Sequence, residues 1–136
     1  MKQKILAIDD SKAIRFLLQT VLSNNYQVIT APDGCSAMLW LSKKNLPDLI
    51  ILDAQLPDMN DWEMIEQFST SGIYRDIPLI VLSSLSEQVL KQKCQQYAVA
   101  AFFCKPFNPI DLVEAINRVI TERKKAVIPA MVMQAG

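Results

Sequence analysis

The sequence predicts an α/β protein built on an open, doubly wound parallel sheet of five strands. Three observations predict it. Short apolar runs alternate with segments of helical period, five times in about 120 residues. The runs are apolar at successive positions, the mark of strands buried on both faces, and such strands belong to parallel sheets covered by helices on each side. The length, 136 residues, suits one domain and is about half of what a (β/α)8 barrel needs; right-handed crossovers then leave few topologies.

Ile5-Leu6-Ala7-Ile8 forms the first strand and ends at Asp9-Asp10. From Ser11 to Leu22, apolar Ile14, Leu17, Leu18, Val21 and Leu22 trace the stripe of an amphipathic helix, and Asn24-Asn25 supply a polar stop. Tyr26 to Ala31 is rich in β-formers, and Pro32-Asp33-Gly34 is a turn. Ala37, Met38 and Leu41 mark a second helix, closed before Pro47. Leu49 to Leu52 is an unbroken Leu/Ile run that ends at Asp53, followed by a loop with Pro57 and Asn60. Trp62, Ile65 and Phe68 carry a short third helix, broken at Gly72. Ile77 to Leu82 is the fourth strand and ends in Ser83-Ser84. Ser84-x-x-Glu87 reads as a capping box for a helix running to about Tyr97. Val99 to Cys104 is the fifth strand, followed by Lys105-Pro106 and a helix through Ile110, Val113, Ile116, Val119 and Ile120. Residues 124–136 lose the pattern and read as a C-terminal tail or linker stub after a domain of residues 1–123.

Composition narrows the chemistry. Lys plus Arg equals Asp plus Glu, 14 against 14, so no bulk positive charge points to nucleic acid or an anionic membrane. Cys35, Cys94 and Cys104 are an odd count without a C-x-x-C pair, which fits a reducing compartment and three small core residues. There is no histidine, which excludes Ser-His and Cys-His pairs and His-ligated zinc within the chain. No apolar stretch approaches the roughly 20 residues of a membrane span, and no signal-peptide core is visible; the expected location is cytoplasmic.

In open α/β sheets, ligands bind beyond the carboxyl ends of the strands. The first strand ends in Asp9-Asp10, the third in Asp53, the fourth in Ser83-Ser84 and the fifth in Lys105. Each has a plainer reading: Asp10-Ser11 as a helix cap, Asp53 as a loop carboxylate, Ser83 as a turn hydroxyl, Lys105 as a solvated lysine. Together they argue otherwise. Three clustered carboxylates repel one another and resist burial, and one lysine does not balance them. A hard divalent cation such as Mg²⁺ completes the balance through carboxylates, waters and a phosphoryl oxygen. A metal, a lysine and a hydroxyl around an aspartate suit phosphoryl transfer to that carboxylate. No G-x-x-x-x-G-K-[ST] loop is present, so the chain does not read as a nucleotide-binding NTPase.

The chain resembles a response-regulator receiver domain of two-component signalling. The resemblance rests on Ile8-Asp9-Asp10-Ser11, Ala31-Pro32-Asp33-Gly34, Leu52-Asp53-Ala54-Gln55-Leu56-Pro57, Val81-Leu82-Ser83-Ser84 and Lys105-Pro106-Phe107. The spacings from Asp53 to Ser83 (30 residues) and Ser83 to Lys105 (22 residues) are usual for the family, and the match covers roughly residues 3 to 123. The resemblance implies a flavodoxin-like (βα)5 sheet of strand order 2-1-3-4-5. It implies Asp53 as phosphoacceptor, Asp9, Asp10, Asp53 and the Gln55 carbonyl as the Mg²⁺ site, and Ser83 and Lys105 as partners of the phosphoryl group. Ser83 and Phe102 would form the switch, and Pro106 would follow a cis peptide. Five positions depart from the usual pattern: Phe102 stands where Tyr is common, Asp61 where the loop carries Gly, Ala98-Val99 where Gly-Ala precedes the fifth strand, and Ser83 where Thr is frequent. None removes a reactive group.

The implied function is a phosphorylation switch fed by a histidine kinase or phosphotransfer protein, catalysing its own phosphorylation and autodephosphorylation. A protein partner would read the face of the fourth helix, fifth strand and fifth helix. No direct nucleic-acid or membrane contact is expected, and the molecule would be a monomer or a phosphorylation-linked dimer. Three other readings fit the residues less well. A haloacid-dehalogenase-type phosphatase needs D-x-D-x-[TV] after the first strand, and Asp9-Asp10-Ser11 has the wrong spacing. An FMN binder of the same fold needs a phosphate loop free of acids. A receiver-fold interaction scaffold would have no use for an intact Asp53, Ser83 and Lys105.

Overall fold

The computed structural model describes the backbone of residues 2–135 and the side-chain surroundings of residues 2–123. Five strands and five helices alternate: β1 (Gln3–Ile8), α1 (Lys12–Leu22), β2 (Tyr26–Ala31), α2 (Gly34–Ser42), β3 (Leu49–Asp53), α3 (Glu63–Thr70), β4 (Leu79–Ser83), α4 (Glu87–Gln96), β5 (Ala101–Cys104) and α5 (Pro109–Ala135). All pairings are parallel, in the order β2-β1-β3-β4-β5.

The two-sided burial of the strands explains their unbroken apolar runs. In β3 and β4, Ile50, Leu52, Leu79 and Val81 face one core with Ala37 and Leu41 of α2, Met64, Ile65 and Phe68 of α3, and Leu90 and Cys94 of α4. Their neighbours Leu49, Ile51, Ile80 and Leu82 face the other, with Leu18 and Leu22 of α1 and Leu112, Ile116, Val119 and Ile120 of α5. Each such side chain, fully removed from water, contributes about 1.5–3 kcal/mol, so the sheet is anchored from both sides. No helix among the described residues is long and apolar enough to cross a membrane.

Local details differ from the sequence reading at several junctions. The cap of α4 is Ser86, whose side chain accepts from the Val89 N–H, and not Ser84. The preceding serine is spent on its own turn, since Ser83 Oγ accepts from the Leu85 N–H at 3.0 Å. β4 begins at Leu79, because Ile77 closes a turn onto the Tyr74 carbonyl. β5 begins at Ala101, because the Val99 N–H is drawn to the Cys94 carbonyl at the end of α4. The left-handed residue of the β3–α3 loop is Trp62 (φ 68°), next to Asp61, which stands where the loop commonly carries Gly. Helix α5 runs to Ala135, past the point where its apolar period fades.

Candidate functional site

Parallel pairing brings the carboxyl ends of β1, β3, β4 and β5 to one edge, and with them the polar residues that follow the apolar runs. The β1–α1 loop is shaped by its own side chains. The Asp9 N–H donates to the Ala31 carbonyl at 3.0 Å, and Asp9 Oδ1 accepts from the Ser11 N–H at 2.9 Å. Ser11 then caps α1 by accepting from the Ile14 N–H. Capping is thus the work of Ser11, which leaves the Asp10 carboxylate to the cluster. In the next strand, Asp53 Oδ1 accepts from the Gln55 N–H at 2.9 Å, an Asx turn that opens the β3–α3 loop. The Lys105 N–H donates to the Ser83 carbonyl at 2.8 Å, fixing the end of β5 against β4. The Lys105–Pro106 peptide is cis.

Carboxylate oxygens of Asp9, Asp10 and Asp53 lie within 4.8 Å of one another. Asp9 and Asp53 are buried, at 1% and 5% exposure, as is Ser83, while Asp10 is exposed. Lys105 Nζ sits 2.9 Å from Asp9 Oδ2 and 3.0 Å from Asp53 Oδ2. Burial raises the Asp53 pKa, and Asp9 adds to the rise; the Gln55 N–H and Lys105 oppose it without cancelling it. Burial alone would pull the Lys105 ammonium down, but its contacts with Asp9 and Asp53 together outweigh burial and raise its pKa. Lys105 is therefore charged at neutral pH. Asp9 Oδ2 touches Lys105 outside hydrogen-bond geometry and has no hydrogen-bond partner among the described residues. A buried carboxylate oxygen whose one close partner is an ammonium shared with Asp53, inside a three-carboxylate cluster, belongs to a donor set suited to a hard, oxygen-seeking ion.

Phe102 pairs with Val81 across β4 and β5 and is half-buried against the core cluster that holds Leu90 and Cys94 of α4. Gln55 reaches back within its loop, Nε2 to Asp61 Oδ2 at 3.5 Å. Of the cysteines, Cys94 is buried, Cys104 is partly buried and Cys35 is exposed, so the expectation of three core thiols fails at Cys35. Two side chains not singled out in the sequence support the same loops. Arg15 donates from Nη1 to the Asp9 carbonyl at 2.7 Å. Asp58 accepts from the N–H groups of Gly34 and Cys35 at 2.9 and 2.8 Å.

Comparison with known proteins agrees with this geometry. The family model of the response regulator receiver domain matches residues 5–117. The chemotaxis response regulator CheY4 of Vibrio cholerae superposes with a TM-score of 0.77 at 32% identity, over 88% of this chain and 99% of that one. A probable transcriptional regulator, ycf27, of Galdieria sulphuraria is 35% identical over 120 residues, 88% of this chain and 46% of that protein. The hybrid signal transduction histidine kinase D of Dictyostelium discoideum is 29% identical over 90% of this chain, which covers 8% of the kinase. The chain thus spans about half the length of the regulators it matches, and a small part of the kinase. With strand order, acidic cluster and sequence in agreement, this chain belongs to the response-regulator receiver domain family.

Proposed function

We propose that residues 1–123 are a phosphoacceptor that takes a phosphoryl group on Asp53 and changes the surface of α4, β5 and α5, with residues 124–136 as a C-terminal extension. The observation that carries this reading is the position of Asp53: a buried carboxylate at a strand end, held by Lys105 and flanked by Asp9 and Asp10. Asp9, Asp10, Asp53 and the Gln55 carbonyl would hold Mg²⁺, which supplies charge neutralisation for the transferring phosphoryl oxygens.

The donor is a phosphohistidine on a histidine kinase or phosphotransfer protein, and it lies outside these residues, which include no histidine. An Asp53 oxygen attacks phosphorus. The P–O bond forms as the P–N bond to the donor imidazole breaks, and the imidazole leaves with the electron pair and takes a proton from water. Lys105, already 3.0 Å from Asp53 Oδ2, stays beside the carboxylate as it becomes an acyl phosphate. Autodephosphorylation reverses the outcome by attack of water, which restores the carboxylate and releases inorganic phosphate and a proton. An apolar groove lined by Ile14, Leu17, Ser84, Lys105, Pro106 and Phe107 opens beside the site and offers the donor a seat.

Ser83 gives its hydroxyl oxygen to the Leu85 N–H in this state. Its own hydroxyl proton remains available to a phosphoryl oxygen on Asp53; that contact would draw on Ser83 and the β4–α4 loop, and Phe102 lies on the side of the sheet that would respond. A cytoplasmic setting and a protein partner on the α4–β5–α5 face complete the proposal.

Intact-mass spectrometry after incubation with acetyl phosphate tests it. Wild type is expected to gain one phosphoryl group with Mg²⁺ and none with chelator, and Asp53→Asn to gain none. An equal gain in Asp53→Asn would overturn the assignment.

A further inference from the structure

The β3–α3 loop is closed at its base by the Trp62 N–H donating to the Ala54 carbonyl at 3.0 Å. Its crown is docked elsewhere, on the first turn of α2. Asp58 spreads its two oxygens over the successive N–H groups of Gly34 and Cys35, and Met59 lies across Gly34 so closely that a Cβ there would stand 2.6 Å from Met59 Cε. Asp33, from the preceding turn, accepts from the Ser36 N–H at 2.7 Å. Three free donors of one helix end are thus served by carboxylates from two separate loops. The two amide bonds also hold the Asp58 pKa below the ordinary carboxylate value.

Gln55 lies three residues before Asp58 in this loop. Its backbone is anchored by Asp53 Oδ1, an oxygen of the acceptor carboxylate itself. A metal or phosphoryl group engaging Asp53 Oδ1 would share that oxygen with the Gln55 N–H. The Asp58 contact does not involve Asp53.

We propose that Asp58 is a positioning residue of the receiver site: it ties the acceptor loop to α2 and so keeps the Gln55 carbonyl in place for Mg²⁺. This rests on the proposed metal-dependent phosphorylation at Asp53. Asp58 touches neither metal nor phosphoryl group. Because it is exposed, its bonds form in competition with water, and its effect lies at the low end of what loss of outer support costs a metal site.

The test measures Mg²⁺ affinity by calorimetry for wild type, Asp58→Ala and Asp58→Asn, with acetyl phosphate phosphorylation followed at saturating Mg²⁺. Asp58→Ala is expected to weaken Mg²⁺ binding about tenfold, and Asp58→Asn, which retains one acceptor, to fall between it and wild type. The phosphorylation rate at saturating Mg²⁺ should stay within about twofold of wild type, since the missing support then acts only on occupancy. The weakening should persist in about 1 M salt, where the Debye length is about 3 Å and the lost charge is screened. Unchanged affinity in the variants, or a loss that vanishes in salt, overturns the proposal. If Asp58→Ala does not fold, the isosteric Asp58→Asn decides by the same criterion. Wild type that binds no Mg²⁺ overturns the underlying reading of the site, a result separate from wild type and variants binding it equally.

Discussion

Lys105 carries the charge balance of the acidic cluster. It holds two buried carboxylates at about hydrogen-bond distance, and its stem is itself mostly buried. Replacing it by methionine keeps the stem and removes the charge, leaving Asp9 and Asp53 buried without their cation. Breaking such a pair costs about 3 kcal/mol, so Lys105→Met is expected to be destabilised by about that much in chelator at pH 8, read from urea unfolding. The deficit has a defined pH dependence. The Asp53 pKa is already raised by burial, and loss of Lys105 raises it further. A carboxyl with a raised folded pKa binds its proton more tightly when folded, so folding becomes more favourable as pH falls through that value. The deficit should therefore shrink between pH 8 and pH 5. A deficit that grows on acidification would contradict the assignment of Lys105 as the counter-charge.

At the scale of elements, the junction between α4 and β5 holds backbone strain. Ala98 sits at φ 54°, a left-handed conformation that costs a residue with a Cβ roughly 1–2 kcal/mol. Val99 turns back to the Cys94 carbonyl immediately afterwards, so the turn cannot relax without losing that bond. Ala98→Gly is expected to stabilise the fold by about 1 kcal/mol, part of the relief being offset by the greater unfolded freedom of glycine; the midpoint of urea unfolding reads it. This is where the sequence was least legible. Leu49 to Leu52 announced a strand because every position is buried, and Ile14 to Leu22 announced a helix because one face is. Asp9, Asp53, Ser83 and Lys105 were legible as a group because each follows an apolar run, and parallel strands deliver their ends to one edge. Turn geometry obeys longer-range demands. Ser84 offered a formally good capping box, yet the Ser83 turn moves the helix start to Ser86. Trp62 adopts φ 68° with its indole buried at 8% exposure, and burial of that ring offsets a conformation its residue type disfavours. Arg15 and Asp58 act through backbone groups that only the fold brings near, so no local pattern flags them.

At the scale of the whole molecule, α4 and α5, on opposite faces of the sheet, are anchored unequally. α5 places Leu112, Ala115, Ile116, Val119 and Ile120 in the core, while α4 is held by Leu90 and Cys94 alone among its ten residues. Fewer buried contacts mean a lower free energy of local opening. The element joined to Ser83 by a short loop is therefore more easily displaced than α5. A phosphoryl group on Asp53 adds charge and acceptor oxygens, and Ser83, which now only accepts from Leu85, has a hydroxyl proton to donate to them. That differential interaction is what shifts a population, and α4, with Phe102 packed on the same side, is where the shift is expected to appear. Hydrogen exchange followed by mass spectrometry tests this on the unphosphorylated protein and on its Mg²⁺–beryllofluoride complex. Without phosphoryl mimic, the amides of α4 should exchange faster than those of α5 between Leu112 and Ile120. On adding it, protection should change in residues 83–97 and in β5, with α1 and the apolar half of α5 left as they were. Equal changes across every helix would mean global stabilisation by ligand binding, and the proposed switch face would have to be abandoned.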